Sequence, residues 1–196
     1  MMRRLGAVVA AGIVLSGCGS GGEGGETTTS SPVAEASGNP WDLPLEQRPP
    51  LFDPCTELPL ASVEEALGTP VVLEEDLKNH EPRRLMSCGW SNGEAFFGVL
   101  STWKSRQEYL SDSAFVVRDP ASAVSGRVGL RATNEGDSAE RSCTQLFFTS
   151  RGTFMVSVDL VGGLSEFRGE RFVKACDALD VAIRPVMRSV PEGDFK

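Results

Sequence analysis

Cys143-Thr144-Gln145-Leu146-Phe147-Phe148-Thr149-Ser150-Arg151-Gly152-Thr153-Phe154-Met155-Val156-Ser157-Val158-Asp159-Leu160-Val161 holds two β-prone runs on either side of a turn. In the first run Cys143, Gln145 and Phe147 alternate with Thr144, Leu146 and Phe148, the period of a strand whose residues point to opposite faces. Ser150-Arg151-Gly152 supplies the turn, and Thr153 to Val161 returns as the partner strand. This hairpin is the clearest element of the chain and makes an antiparallel sheet the starting point for the fold.

Working outward, a second hairpin appears upstream. Cys88-Gly89-Trp90 leads through Ser91-Asn92-Gly93-Glu94 into Ala95 to Trp103, and an Asn-Gly pair between apolar runs is a strong short-range hairpin signal. Phe97, Val99, Ser101 and Trp103 share one face of that strand; Phe96, Gly98, Leu100 and Thr102 share the other. Each hairpin is followed by apolar residues at helical spacing. Tyr109, Leu110, Ala114, Phe115 and Val117 predict a helix over 106–117. Phe172, Cys176, Leu179, Ile183 and Val186 predict one over 165–184, ended by Pro185. Upstream, Leu60, Val63, Ala66 and Leu67 predict a helix over 61–67 closed by Gly68, and Val71-Val72-Leu73 predicts a strand. Val128 to Thr133 reads as a further strand, and the charged run 74–85, which contains the single histidine His80, reads as a solvated loop. The expected fold is α+β: an antiparallel sheet with helices packed on one face, built from two ββα halves that echo one another.

Five cysteines are present. Cys18 has a separate reading, given below, and the remaining four allow three pairings. Cys55 with Cys88 and Cys143 with Cys176 is the expected arrangement, because each bond then ties a helix or its lead-in to a strand within one half. A zinc site is disfavoured, since there is no CxxC spacing and only one histidine, so neither a metal nor a cofactor is expected.

The N-terminus reads as an export signal. Met1-Met2-Arg3-Arg4 is basic, and Leu5 to Leu15 is an apolar run of about eleven residues, short of the roughly 20 that span a bilayer. Leu15-Ser16-Gly17-Cys18 resembles the lipobox of bacterial lipoproteins, in which the cysteine is diacylated and becomes the first residue. The expected organisation is therefore a signal peptide over 1–17, a lipidated Gly/Ser/Thr/Pro tether over 18–50, and one globular domain over 51–196. Trp41 and Leu43 are expected to make the first contact with that domain. A diacylglycerol-modified Cys18 supplies the two fatty chains that stable anchoring needs. Removing the positive charges of Arg3 and Arg4 takes the formal net charge from −8 to −10, which argues against nucleic acid as a partner.

Phe52-Asp53-Pro54-Cys55 with Leu58, the helix ending Ala66-Leu67-Gly68, and Cys88-Gly89-Trp90, behind such a leader and tether, resemble an actinobacterial lipoprotein family of unknown function, domain-of-unknown-function family 3558. The resemblance implies an envelope lipoprotein on the outer face of the cell membrane. It transfers no catalytic residue.

Enzyme readings find little support in the residues. Ser101-Thr102-Trp103-Lys104 matches S-x-x-K, but the accompanying Ser-Asp-Asn and Lys-Thr-Gly elements do not occur. A serine triad would need His80, whose neighbours suggest a surface turn. Glu74-Glu75-Asp76 lacks the alternating ligands and glycine of a calcium loop. The expectation is a non-catalytic module that binds a small apolar or wall-derived ligand, or an envelope protein, against its sheet. Trp90, Phe96, Phe97, Trp103, Phe147, Phe148 and Phe154 would supply the aromatic surface. A docking subunit without a pocket is the alternative.

Overall fold

The computed structural model describes residues 38–68, 70–162, 166–171 and 174–195. The expected signal peptide, Cys18 and most of the expected tether lie outside the described residues.

Helices α1 (Pro54–Glu57) and α2 (Leu60–Leu67) open the domain, followed by β1 (Val72–Leu73), β2 (Asn79–Glu81), β3 (Leu85–Ser91) and β4 (Ala95–Thr102). Helix α3 (Arg106–Leu110) precedes β5 (Phe115–Asp119), β6 (Ala123–Val124), β7 (Arg127–Val128) and β8 (Leu130–Asn134). Then come the long strands β9 (Ser142–Thr149) and β10 (Gly152–Leu160), a small hairpin of β11 (Glu166–Phe167) and β12 (Glu170–Arg171), and α4 (Ala175–Ala182). The main sheet is antiparallel, in the order β1-β3-β4-β10-β9-β8-β5, with β2 also paired to β3. The two hairpins recognised in the sequence thus lie side by side at its centre, joined along β4 and β10.

One face is closed by helices. Phe97, Val99, Phe147, Phe154, Val156 and Val158 pack there against Val63, Ala66 and Leu67 of α2 and Ala175, Ala178, Leu179 and Ala182 of α4. Helix α2 ends where Gly68 adopts φ 84° and returns its amide to the Glu64 carbonyl, a left-handed cap that glycine adopts without a Cβ clash. Two disulfides tie this layer to the sheet: Cys55–Cys88, with Cα atoms 5.2 Å apart, and Cys143–Cys176, at 5.0 Å. Two polar side chains on this side are paired with one another and with α4. Arg131 of β8 donates to Gln145 Oε1 at 3.1 Å and to Asp180 of α4 at 2.7 Å.

The opposite face is covered only at one side. Tyr109 of α3 packs with Leu130, Ala132, Leu146 and Phe148, joined by Trp41 and Phe195 from the two ends of the described chain. Trp41 donates from Nε1 to the Thr149 carbonyl at 2.9 Å, and its ring meets Trp103 edge-on at 4.9 Å. Arg48 stacks 5.0 Å from the Trp103 ring and donates to the carbonyls of Leu43 and Trp41. Trp41, expected from the sequence to contact the domain, thus packs against the sheet end.

Three expected elements come out differently. The helix expected over 106–117 stops at Leu110: a Ser105/Glu108 capping box starts it, but Asp112 turns the chain by accepting from the Ala114 amide, and Phe115-Val116-Val117 joins the sheet as β5. β-Branched residues there favour a strand once an edge is available. The helix expected over 165–184 begins only at Ala175. Arg168 and Gly169 take φ values of 57° and 73° and turn a hairpin where a helix would need φ near −60°. The charged run 74–85 is not all loop, because β2 within it pairs with β3 from Asn79 opposite Ser87 to Glu81 opposite Leu85.

Arg151, in the β9–β10 turn, holds the lead-in to α1. It donates to the carbonyls of Pro50 and Leu51, pairs with Glu57, and lies 5.7 Å from the Phe52 ring. The guanidinium holds the Glu57 carboxyl below the usual range, chiefly through their hydrogen bond. Arg151→Ala should lower unfolding stability by about 1–3 kcal/mol, the range for hydrogen bonds to charged groups with loss of stem packing, read as a shift of the urea midpoint. Replacing both cysteines of either disulfide by alanine should cost roughly 3–4 kcal/mol for a loop of 33 residues. Non-reduced peptide mapping checks the pairing directly.

Candidate functional site

Two concavities flank the β2/β3 edge, one on each side. The first lies between the α1–α2 segment and the strands β1, β2 and β3. It encloses about 470 Å³, with Leu58, Leu60, Val71, Leu73, Trp90 and the Cys55–Cys88 disulfide forming an apolar wall. Helix α2 turns Val63, Ala66 and Leu67 into the core and leaves Leu60 54% exposed at the mouth. Strand β1 places Leu73 opposite Trp90. The polar rim is Asp53, Thr56, Lys78, Asn79 and His80. Asp53 caps α1 by accepting from the Cys55 amide at 3.0 Å, and its other oxygen stands 3.5 Å from His80 Nδ1.

The second concavity is an open groove of about 320 Å³ on the sheet face opposite α2 and α4, across β2, β3, β4 and β10. Register explains its shape. Gly89, Gly98, Ser157, Thr144 and Ala132 lie opposite one another across five strands, forming a row of small residues. The next row on one side is Ser87, Leu100, Met155, Leu146 and Leu130; on the other it is Ser91, Phe96, Asp159 and Ser142. Small side chains between two rows of larger ones make a channel perpendicular to the strands. A Cβ at Gly98 would come within 2.7 Å of Ser157 Oγ, so glycine keeps the floor low.

Asp159 lies in this groove and also lines the adjoining hollow with Phe96, Asp137, Arg141 and Ser142. Burial, with a smaller contribution from the Asp137 charge, pushes its carboxyl up to about 6. Asp137 itself is held low: hydrogen bonds from Ser142 and Arg141 outweigh its own desolvation. No hydrogen bond or ion pair reaches the Asp159 carboxylate among the described residues. Asn79 Oδ1, also along the groove, is buried without a partner among them.

The residues singled out in the sequence fall into place as follows. Cys55 and Cys88 line the first cavity, whereas Cys143 and Cys176 lie in the helix-covered core. Of the seven aromatic residues, Trp90, Phe97, Trp103, Phe147, Phe148 and Phe154 are buried and Phe96 alone is exposed, at 39%. The aromatic surface expected for ligand contact is therefore mostly core, as large apolar side chains usually are. Ser101 is buried in β4 with its hydroxyl unpartnered among the described residues, while Lys104 turns to Asp112 and the Tyr109 ring. The S-x-x-K pattern thus places no base beside its serine. His80 stands on strand β2, not on a surface turn, and makes no hydrogen bond to a serine, threonine or cysteine among the described residues. In the acidic run, Glu74 accepts from Ser91 and Glu75 pairs with Lys78. Among the described residues no group of three His, Cys, Asp or Glu side chains is placed to hold a metal ion.

Asp159 and Asn79 were missed. The available signal was an acidic residue at an alternate position of a strand, where Met155, Ser157 and Asp159 share the face opposite Phe154, Val156, Val158 and Leu160.

The architecture defines a disulfide-stapled α+β domain, with one sheet face closed by helices and the other partly open. The chain belongs to the family described as Protein of unknown function (DUF3558), whose model matches residues 13–183. No curated protein and no solved structure matches it.

The raised carboxyl of Asp159 makes a testable contribution to stability. The folded state holds this proton more tightly than the unfolded chain, so the contribution is full below about pH 4 and is lost as pH rises through about 6. Asp159→Asn should remove that loss. Between pH 4 and pH 7 the variant should gain up to about 3 kcal/mol on the parent protein, since one pKa unit is about 1.36 kcal/mol. Urea titrations at several pH values read the difference.

Proposed function

We propose that this protein is an extracytoplasmic lipoprotein, anchored through a diacylglyceryl-modified Cys18, that binds a small ligand non-catalytically at the cell envelope. The observation that carries the binding reading is the solvent-open cavity of about 470 Å³ beside the Cys55–Cys88 disulfide. Its volume lies in the range of small-molecule sites, and it joins an apolar wall to a few convergent polar groups. Lys78 and His80 at the rim would orient a polar head, and Leu58, Leu73 and Trp90 would take an apolar body. The disulfide fixes α1 against β3, so the cavity is preorganised and less ordering is required on binding. The anchoring reading is supported by the Arg-rich leader, the short apolar run and the Leu-Ser-Gly-Cys sequence.

Native mass spectrometry of the protein purified in mild detergent from its own envelope tests both parts. The expected spectrum shows a diacylglyceryl group on an N-terminal Cys18, and a stoichiometric extra mass that Leu73→Trp, filling the cavity mouth, abolishes. An unmodified Cys18 would end the anchoring reading. A bare domain with intact disulfides would replace the ligand-binding reading with a docking role for the exposed Leu60, Val72 and Leu73.

A further inference from the structure

The groove on the sheet face opposite α2 and α4 has the features of a site in its own right. Its walls are apolar, formed by Leu77, Leu85, Phe96, Leu100 and Met155. Leu77 and Phe96 are 44% and 39% exposed, so these walls are open to an occupant. Its floor is kept low by Gly98. Two polar acceptors along it have no partner within the described protein: the Asp159 carboxylate and the buried Asn79 Oδ1. A half-buried carboxylate without a hydrogen bond is costly, and buried polar groups in native proteins are normally satisfied. Both acceptors call for donors.

The surrounding charge decides what kind of donor. Asp76 lines the groove with Asp159, and Asp137 lies behind Asp159 in the adjoining hollow. Neither cation nearby neutralises Asp159: Lys78 pairs with Glu75 at 3.7 Å, and Arg141, in the adjoining hollow, acts on Asp137 through its backbone amide and its charge and forms no ion pair with Asp159. An anionic head would meet repulsion at Asp159, whereas an ammonium group would be both charge-matched and rich in N–H donors. We propose that the groove across β2, β3, β4 and β10 is a second binding site, for an amphiphile that lays an apolar chain along Leu77, Leu100 and Met155 and sets a protonated amine on Asp159. This site is separate from the cavity beside the Cys55–Cys88 disulfide and stands whether or not that cavity is filled.

The test is a two-dimensional amide NMR titration of the folded domain at pH 7.5 with octylamine, octanol and octanoate. Octylamine should shift the amides of Gly98, Ser157 and Asp159 and bind at least tenfold tighter than octanoate. Asp159→Asn, which keeps the side-chain shape, should weaken octylamine at least tenfold and leave octanol within twofold. Gly98→Ala, which raises the floor, should weaken octylamine and octanol alike. Three results would overturn the proposal: octanoate binding as tightly as octylamine; an unchanged octylamine affinity in folded Asp159→Asn; or shifts confined to Leu58, Leu73 and Trp90, which would move the amine to the other cavity.

Discussion

The pairing of β4 with β10, eight registers from Thr102 opposite Thr153 to Ala95 opposite Leu160, is the contact on which the rest of the molecule rests. Each central hairpin closes locally through its own turn, but this seam joins residues more than fifty positions apart and must bear the associated chain entropy. It does so with Phe97, Val99, Phe154, Val156 and Val158, all 1% exposed or less, on the face that α2 and α4 cover. The seam also fixes the register of the whole sheet. A slip of one residue would exchange the apolar face for the face bearing Gly98, Ser157 and Asp159.

The disulfides reinforce this asymmetry. Cys88 and Cys143 lie on the strands flanking the seam, and their partners Cys55 and Cys176 belong to helices on the same side. Both covalent links therefore strengthen one layer. The other face is left to a few contacts at its margin, where Tyr109, Trp41 and Phe195 cover Leu146 and Phe148 but stop short of Gly98.

The hairpins, the α2 helix with its glycine cap and the cysteine pairs were legible because each depends on neighbours within a few residues or on a simple periodicity. Residues 106–117 and 165–184 were not, since an apolar residue every three or four positions is compatible with a helix until tertiary context intervenes. At Phe115 an available edge, that of β8, drew the segment into the sheet; at Arg168-Gly169 a pair of left-handed residues turned the chain before a helix could start. The aromatic residues suggested a binding surface and turned out to be the core of the seam. Composition cannot distinguish these roles, because both require large apolar side chains. The cavity and the groove were illegible for a different reason: each is made by residues from three or more elements, brought together by strand register.

Natural sequences are locally consistent except where function imposes a conflict. On the helix-covered face local preference and tertiary packing agree: Gln145 and Arg131 are paired, and apolar side chains fill the space. On the open face they disagree. Hydrophobic collapse alone would favour an apolar residue at position 159 and a filled floor at 98, yet the chain holds a desolvated carboxyl and a glycine at these positions. Asn79, on an edge strand where its side chain was free to face solvent, instead buries its carbonyl oxygen without a partner among the described residues. Three departures from the most stable choice along one groove, set against a stapled and close-packed layer behind it, separate the part of the molecule that holds its shape from the part left available for recognition.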